Sequence, residues 1–434
     1  MPPNKARKTK EKWGIKGNTF YPLGTSLNPE EQEFVFTGRE EDLEEFCSYI
    51  DRPRGLLLSG LHGVGKTLFL KRSLAVLEQE SMYTVYATFN PDAGFINTFL
   101  LAFLKKLSAE QPEKLELYHK LLGKNTKISL EKTTEGGGKA GIFGVEVNAK
   151  RGSKQIENIE EVIANPRQLL LDMIEELVND GWQVILALDD LDNQELILNL
   201  DEEDIPELSF TDINNIVIEA RQLINVGATV ILVGHPSGPT AALGHSNILQ
   251  QIELDSLDVD DLVEMLQRYL ALGRTDEKRE LKLEPFTEKA AALIANTITR
   301  LKLPTRSMLF ACSELFEYCA KQGIEIIDDV VVRKHWPDVV RILRRSLKRE
   351  DINYLRIIEE TGGYNEDNSE AIVEIAGDYG EFLDGLPKLK FLIKEEFLIE
   401  NFKGTLKLNP LLAAQNPFTA EDLPEPDDMD AGEL

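Results

Sequence analysis

Cysteine is scarce, with three (Cys47, Cys312, Cys319) in 434 residues. Three thiols without paired spacing build neither a disulfide framework nor a zinc site. They read as buried free thiols of a reducing compartment. Histidine is also sparse, at five, so a zinc role is not expected. Long hydrophobic runs are missing. No stretch approaches the roughly 18 apolar residues of a membrane-spanning helix. The basic N-terminus is not followed by an apolar h-region, so no secretory signal is expected. The expected location is cytoplasmic, with no membrane partner. Positive charge is in deficit: 48 Lys and Arg stand against 75 Asp and Glu, a net charge of −27. That balance excludes a uniformly basic nucleic-acid coat. It leaves room for a local basic patch, because phosphate binding depends on where the cations sit. No internal repeat of 20–50 residues is visible.

What is present begins with size. A chain of this length suggests about three units, and 42% apolar residues are ample for packed cores. Charge is unevenly placed. Residues 1–17 carry six Lys or Arg against Glu11, and residues 417–434 carry seven acids and no base. Both ends are expected to be solvated, disordered tails. The basic one is either a solubility arm or a nucleic-acid-contacting arm. Between them, short apolar runs (55–59, 83–88, 183–188, 228–233) alternate with helical segments (66–80, 92–122, 156–180, 211–226). Strands alternating with long helices predict an α/β fold, a parallel sheet with helices on both faces. This core is expected over 18–245.

One interruption falls at about 127–152, where two alternating segments flank Gly136-Gly-Gly138. It is expected to be either a disordered loop or an inserted β-hairpin that touches a partner or DNA, carrying Lys127, Lys132, Lys139, Lys150, Arg151 and Lys154. Residues 246–335 are expected to form a helical lid. Residues 336–416 give the order helix, helix, helix, hairpin of a winged helix. Pro337 and Pro387 are placed in the first turns of two of those helices.

The chemistry concentrates at Gly60-Leu-His-Gly-Val-Gly-Lys-Thr67, which fits G-x-x-x-x-G-K-[ST] at every fixed position. It follows an expected strand and opens an expected helix, the context this motif requires. Glycines allow close backbone approach, and successive N–H groups form an anion nest. The helix N-terminus adds its positive end. Gly60, His62, Gly63, Val64, Gly65, Lys66, Thr67 and Leu68 are therefore the candidate nucleotide-binding residues. Lys66 would meet the β- and γ-phosphates, and the Thr67 hydroxyl would ligate Mg²⁺. A buried strand then runs into Asp189-Asp190. Asp189 is the second candidate Mg²⁺ partner. Asp190, with Asp192 as its competitor, stands where a base would orient the attacking water. The next strand ends at Gly234-His235. His235 is a candidate γ-phosphate sensor or a structural histidine, since ligands sit at the carboxyl ends of parallel strands.

Together these features resemble the AAA+ and STAND branch of P-loop NTPases, and within it origin-recognition-complex-like and NACHT-type ATPases. Phe36-Thr-Gly-Arg-Glu-Glu41 is similar to the "hhGRE" element of that branch, which would put Arg39 near the nucleotide. Leu303-Pro-Thr-Arg306 is similar to the second sensor of AAA+ lids, which would bring Arg306 to the γ-phosphate. The resemblance implies ATP and Mg²⁺ as cofactors and slow ATP hydrolysis that gates assembly. Residues 222–267 hold no Arg or Lys, so an arginine finger after the sensor strand is absent. That favours a nucleotide-gated switch over a fast ring motor.

Double-stranded DNA is a candidate partner through the winged helix, the inserted hairpin or the basic N-terminal segment. Lys388, Lys390, Lys394, Lys403 and Lys407 would make phosphate contacts. Against this, residues 340–416 hold 11 basic and 14 acidic side chains. Self-association or a protein partner is the competing reading, that of a STAND-type signalling or defence switch. A third is nucleotide bound as a structural element only.

Overall fold

The computed structural model describes residues 5–15, 20, 27–110, 165–191, 210–236, 239–274, 280–363, 392, 397–400, 405–413, 416–419 and 422. The expected hairpin at 127–152, the presumed second and third helices of the winged-helix region, and Asp192 lie outside them.

Five parallel strands form the central sheet: β1 (Gly55–Ser59), β2 (Tyr83–Thr88), β3 (Val184–Asp189), β4 (Ala228–Gly234) and β5 (Leu249–Glu253), in the order β2-β3-β4-β1-β5. β1, β3 and β4 are buried along their whole length, as continuous apolar runs in a doubly covered parallel sheet should be. Side chains alternate between two cores. Val184, Leu186 and Leu188 of β3 join Val230 and Leu232 of β4 on one face. There they meet helices at Gly94–Glu110, Pro166–Asn179 and Phe210–Asn225. Ile185, Ala187, Ile231 and Val233 point to the other face. On that side the helices Glu40–Ser48 and Lys66–Gln79 cover the sheet with Phe46, Phe69, Leu70 and Leu74.

In chain order the helices are α1 (Lys5–Lys12), α2 (Pro29–Val35), α3 (Glu40–Ser48), α4 (Lys66–Gln79), α5 (Gly94–Glu110), α6 (Pro166–Asn179), α7 (Phe210–Asn225), α8 (Val259–Gly273), α9 (Glu288–Arg300), α10 (Arg306–Gln322), α11 (Asp329–Ser346) and α12 (Arg349–Glu360). Helices α8 to α11, which cover the residues expected to form a lid and are called the lid below, pack around a third core that includes Leu266, Ile294, Met308, Leu315, Phe316 and Trp336. A two-stranded antiparallel hairpin, β6 (Leu398–Glu400) and β7 (Leu406–Leu408), pairs Leu398 with Leu408. This hairpin falls where the wing was expected.

Three expectations need correction. The N-terminal segment is not a free tail over 5–15. α1 lies on α10, with Lys10 bonded to Glu317 and Lys12 to Glu325. The Trp13 Nε1–H donates to the Glu325 carbonyl at 2.7 Å, and the indole packs 4.7 Å from the Phe316 ring. Two of the six cations thus neutralise lid carboxylates. At the other end, the acidic segment starts docked. Phe418 is buried edge-on to Trp336 at 5.2 Å, and Asp422 takes two bonds from Arg300, at 2.5 and 3.0 Å.

The third correction concerns Pro337, which sits inside α11 rather than in a first turn. The boundary drawn between 335 and 336 therefore falls within one helix. A proline lacks the N–H that would bond the carbonyl four residues back. That carbonyl, of Arg333, instead accepts from the Asn416 Nδ2–H at 2.6 Å.

Candidate nucleotide site

β1 ends at Ser59, and the loop 60–65 carries the chain into α4, whose N-cap is Gly65. The loop's shape needs glycine. Gly63 and Gly65 have φ of +82° and +100°, a region that side-chain-bearing residues avoid. A Cβ on Gly60 would stand 2.7 Å from the Leu254 carbonyl oxygen. The Lys66 ammonium is folded back onto the loop, donating to the Gly60 carbonyl at 2.7 Å and the Leu61 carbonyl at 3.2 Å. Thr67 follows in the first turn of α4. Leu68 turns away from the loop and packs with the lid core.

Arg39, expected near the nucleotide, is buried at the start of α3 and holds backbone, that of the loop included. Its Nη2–H donates to the Val64 carbonyl at 3.3 Å and also to the Asp255 carbonyl, while Nη1–H donates to Asp42 at 2.8 Å. One guanidinium therefore joins the phosphate-type loop to the segment entering the lid.

The acidic strand end is fully buried at Asp189. Its Oδ2 accepts from the Tyr86 hydroxyl at 2.9 Å, and its Oδ1 accepts from the Asp190 N–H at 3.0 Å. Burial, then the neighbouring Asp189 carboxylate, pushes the Tyr86 phenol well above its ordinary range. Asp190 is exposed and left-handed, at φ +56°, a conformation Asp tolerates better than most residues.

β4 is registered on β1 with Gly234 opposite Ser59, so His235 arrives beside the loop. Its ring stacks on His62, with centroids 4.8 Å apart and planes 19° from parallel. Desolvation, then the Lys66 ammonium, lowers the His235 pKa to about 3. His62 is lowered well below its ordinary 6.5, chiefly by burial, with Lys66, His235 and Arg306 adding. Both imidazoles are neutral at neutral pH. The Thr240 hydroxyl donates to the His235 carbonyl at 2.9 Å and accepts from the His235 N–H at 3.2 Å, fixing the turn after β4.

The lid reaches the loop through α10. The backbone N–H of Arg306, the first residue of α10, donates to the Gly63 carbonyl at 2.9 Å. A Cβ on Gly63 would lie 2.8 Å from the Arg306 Cβ. Two further bonds hold the lid's entry to this turn: the Leu257 N–H donates to Thr305 Oγ1 at 3.2 Å, and Ser256 Oγ–H to the Leu303 carbonyl at 2.9 Å.

The arrangement brings together Gly60, His62, Gly63, Lys66, His235 and Arg306, with Asp189 and Asp190 ending the next strand but one from β1. Sequence reasoning missed Tyr86, Thr240, Asp255 and Thr305. Tyr86, Asp255 and Thr305 act through contacts between distant chain segments, Thr240 acts within the turn after β4, and none carries a local motif. The site residues fit a nucleoside triphosphate and Mg²⁺. Glycine-cradled backbone, a helix N-terminus and Lys66 suit phosphate, and the Thr67 hydroxyl and Asp189 carboxylate are hard oxygen donors.

Residues 35–211 match the family model described as an AAA ATPase domain. The resemblance drawn from the loop and the acidic strand therefore holds for that domain. Similar solved structures include Cdc6p from Pyrobaculum aerophilum, at 14% identity, covering 93% of this chain and 95% of that one with a TM-score of 0.39. The ORC2 protein of Aeropyrum pernix, solved as ADPNP–ADP complexes, is 15% identical over 92% of this chain and 95% of its own, with a TM-score of 0.41. The ORC1 protein of Aeropyrum pernix, solved with DNA, is 14% identical over 94% and 99%, with a TM-score of 0.40. No curated protein sequence matches the chain. Among the described residues, no helix is long and apolar enough to cross a membrane.

Proposed function

We propose that this chain, whose residues 35–211 match an AAA ATPase domain, binds ATP with Mg²⁺ and hydrolyses it slowly, as a switch coupling nucleotide state to its lid. The observation that carries this reading is the bond from Arg306 N–H to the Gly63 carbonyl. α10 begins on the very loop that would cradle the phosphates, so a change at the loop is a change at the first turn of a lid helix.

The loop N–H groups and the α4 N-terminus would hold the α- and β-phosphates. Lys66 would exchange its loop carbonyls for phosphate oxygens. Thr67 and Asp189 would hold Mg²⁺, which supplies charge neutralisation across the β- and γ-phosphates. His235, kept neutral, would offer one ring nitrogen as a donor without adding charge. Asp190, exposed at the strand end, would orient the attacking water and take its proton. Arg306 would meet the γ-phosphate from the lid side. Loss of that phosphate would remove the contact and loosen the lid, a two-state element biased by the nucleotide.

The downstream partner is double-stranded DNA or a protein. Lys407 on β7 and Arg345 at the end of α11, both exposed, support DNA contact near the hairpin. A second reading is a signalling switch that works through protein partners or self-association without DNA. It is favoured by the engagement of Lys10 and Lys12 with Glu317 and Glu325, which withdraws two cations from the basic N-terminal segment.

ATPase turnover with and without double-stranded DNA, at low and moderate salt and with Lys66→Ala as control, tests the proposal. DNA stimulation that salt abolishes supports the DNA-coupled switch. Slow turnover indifferent to DNA supports the protein-coupled one. Wild-type turnover no greater than that of Lys66→Ala defeats both.

A further inference from the structure

Both oxygens of the Asp189 carboxylate are engaged by donors of the chain itself. Oδ2 accepts from Tyr86 O–H at 2.9 Å and Oδ1 from Asp190 N–H at 3.0 Å. A carboxylate's terminal torsion is broad and nearly two-fold, so a buried one without donors would have no preferred plane. Two donors on opposite oxygens select one. A carboxylate oxygen accepts more than one bond, so each retains acceptor capacity.

The two donors come from independent places. Tyr86 stands on β2 in register with Ala187, two residues before Asp189 on the same face of the sheet. That face is the one α4 covers. The Lys71 ammonium of α4 lies 5.3 Å from the Tyr86 ring centroid. The tyrosine thus sits between the helix that follows the phosphate-type loop and the acidic strand end. The other donor belongs to a residue in the left-handed conformation, Asp190 at φ +56°. That conformation is costly for most residues, and here it accompanies an amide aimed at Oδ1.

We propose that Tyr86 is a positioning residue for Asp189: with the Asp190 backbone amide, its hydroxyl fixes the carboxylate plane in which Asp189 receives Mg²⁺. The proposal rests on the ATP and Mg²⁺ reading of the site. Tyr86 acts through Asp189 and is not itself placed on the phosphates. A tyrosine that only satisfied a buried acid would affect stability, and would affect nucleotide affinity equally with and without the metal.

The test is ATP binding by calorimetry, in EDTA and across a Mg²⁺ titration, for wild type, Tyr86→Phe, Asp190→Gly and Asp190→Ala. Wild type is expected to bind more tightly as Mg²⁺ is added. Tyr86→Phe is expected to keep its EDTA affinity and to need roughly tenfold more Mg²⁺ for the same gain, the scale on which losing a partner of a metal ligand acts. Asp190→Gly and Asp190→Ala lose the same carboxylate, so they are compared with each other and not with wild type. Asp190→Ala, for which the left-handed conformation is unfavourable, is expected to need more Mg²⁺ than Asp190→Gly, which keeps it. If Tyr86→Phe does not fold, the contrast between the two Asp190 variants reads the same clamp from its other donor.

A wild-type Mg²⁺ midpoint in Tyr86→Phe overturns the proposal, as does an equal loss in both buffers. Wild type that binds ATP no more tightly with Mg²⁺ than in EDTA, or not at all, overturns the metal reading itself, and the proposal with it.

Discussion

Gly63 carries two constraints that can be separated. Its φ of +82° penalises any Cβ, and its Cα faces the Arg306 Cβ at a distance that leaves no room for one. Gly181 has a similar φ, +91°, but open space around a Cβ. Gly181→Ala is therefore expected to cost about 1–2 kcal/mol of backbone strain, read by chemical denaturation, with ATP affinity unchanged. Gly63→Ala should cost more and also weaken ATP binding, because it pushes α10 off the loop. Equal effects of the two substitutions on affinity would contradict the docking of lid on loop. The stacked histidines make a pH prediction. Both are held below the ordinary 6.5, His235 to about 3, so the unfolded chain binds protons that the native chain refuses. Their contribution to stability is complete above about pH 6.5 and is lost as the pH falls toward 3. His235→Asn should flatten the fall of melting temperature between pH 6.5 and 4 relative to wild type. An unchanged slope would show that the buried imidazole is not the cause.

Among the elements, those whose signal is local were legible in the sequence. β1, the loop 60–65 and α4 are contiguous, and their glycines, lysine and apolar runs fall within 25 residues. β3 ending on Asp189 and β4 running into His235 were legible for the same reason. β5 was not, because it is an edge strand reading Leu-Gln-Gln-Ile-Glu with only Leu249 buried, so no apolar run announces it. The Tyr86 to Asp189 bond spans 103 residues and follows from strand register, which no single segment encodes. α11 escaped for a different reason. Its proline is tolerated mid-helix because Asn416, far along the chain, supplies the missing donor to Arg333. Asn416→Ala should therefore cost about 1 kcal/mol, the net value of a typical hydrogen bond, in urea unfolding. The cost should shrink in a Pro337→Ala background, where the helix regains its own N–H. A cost independent of residue 337 would refute this account.

At the scale of the whole molecule, the described parts of both terminal segments, 5–15 and 416–422, rest on the lid. Charge counting concealed this. The excess of Lys and Arg in 1–17 suggested solvation, yet Trp13 and Ile15 within it are buried, at 7% and 2% exposure. Seven acids after 416 obscured Phe418 and Asp422 in the same way. Trp13→Ala should lose about 3–5 kcal/mol, as large-to-small core substitutions of aromatics do, measured as a shift in the denaturation midpoint. A loss under 1 kcal/mol would mean that α1 is dispensable to the lid. α10 connects these far contacts to the site. It starts on Gly63 at Arg306 and carries Phe316 and Glu317, on which α1 rests, farther along. Seventeen residues make a rod about 25 Å long. Pivoted at its far end, such a rod displaces its tip by about 2 Å for each ~5° of tilt, enough to part a 2.9 Å hydrogen bond. The helix is thus a lever whose moving tip rests on the loop 60–65, and the N-terminal segment is a weight resting along its arm.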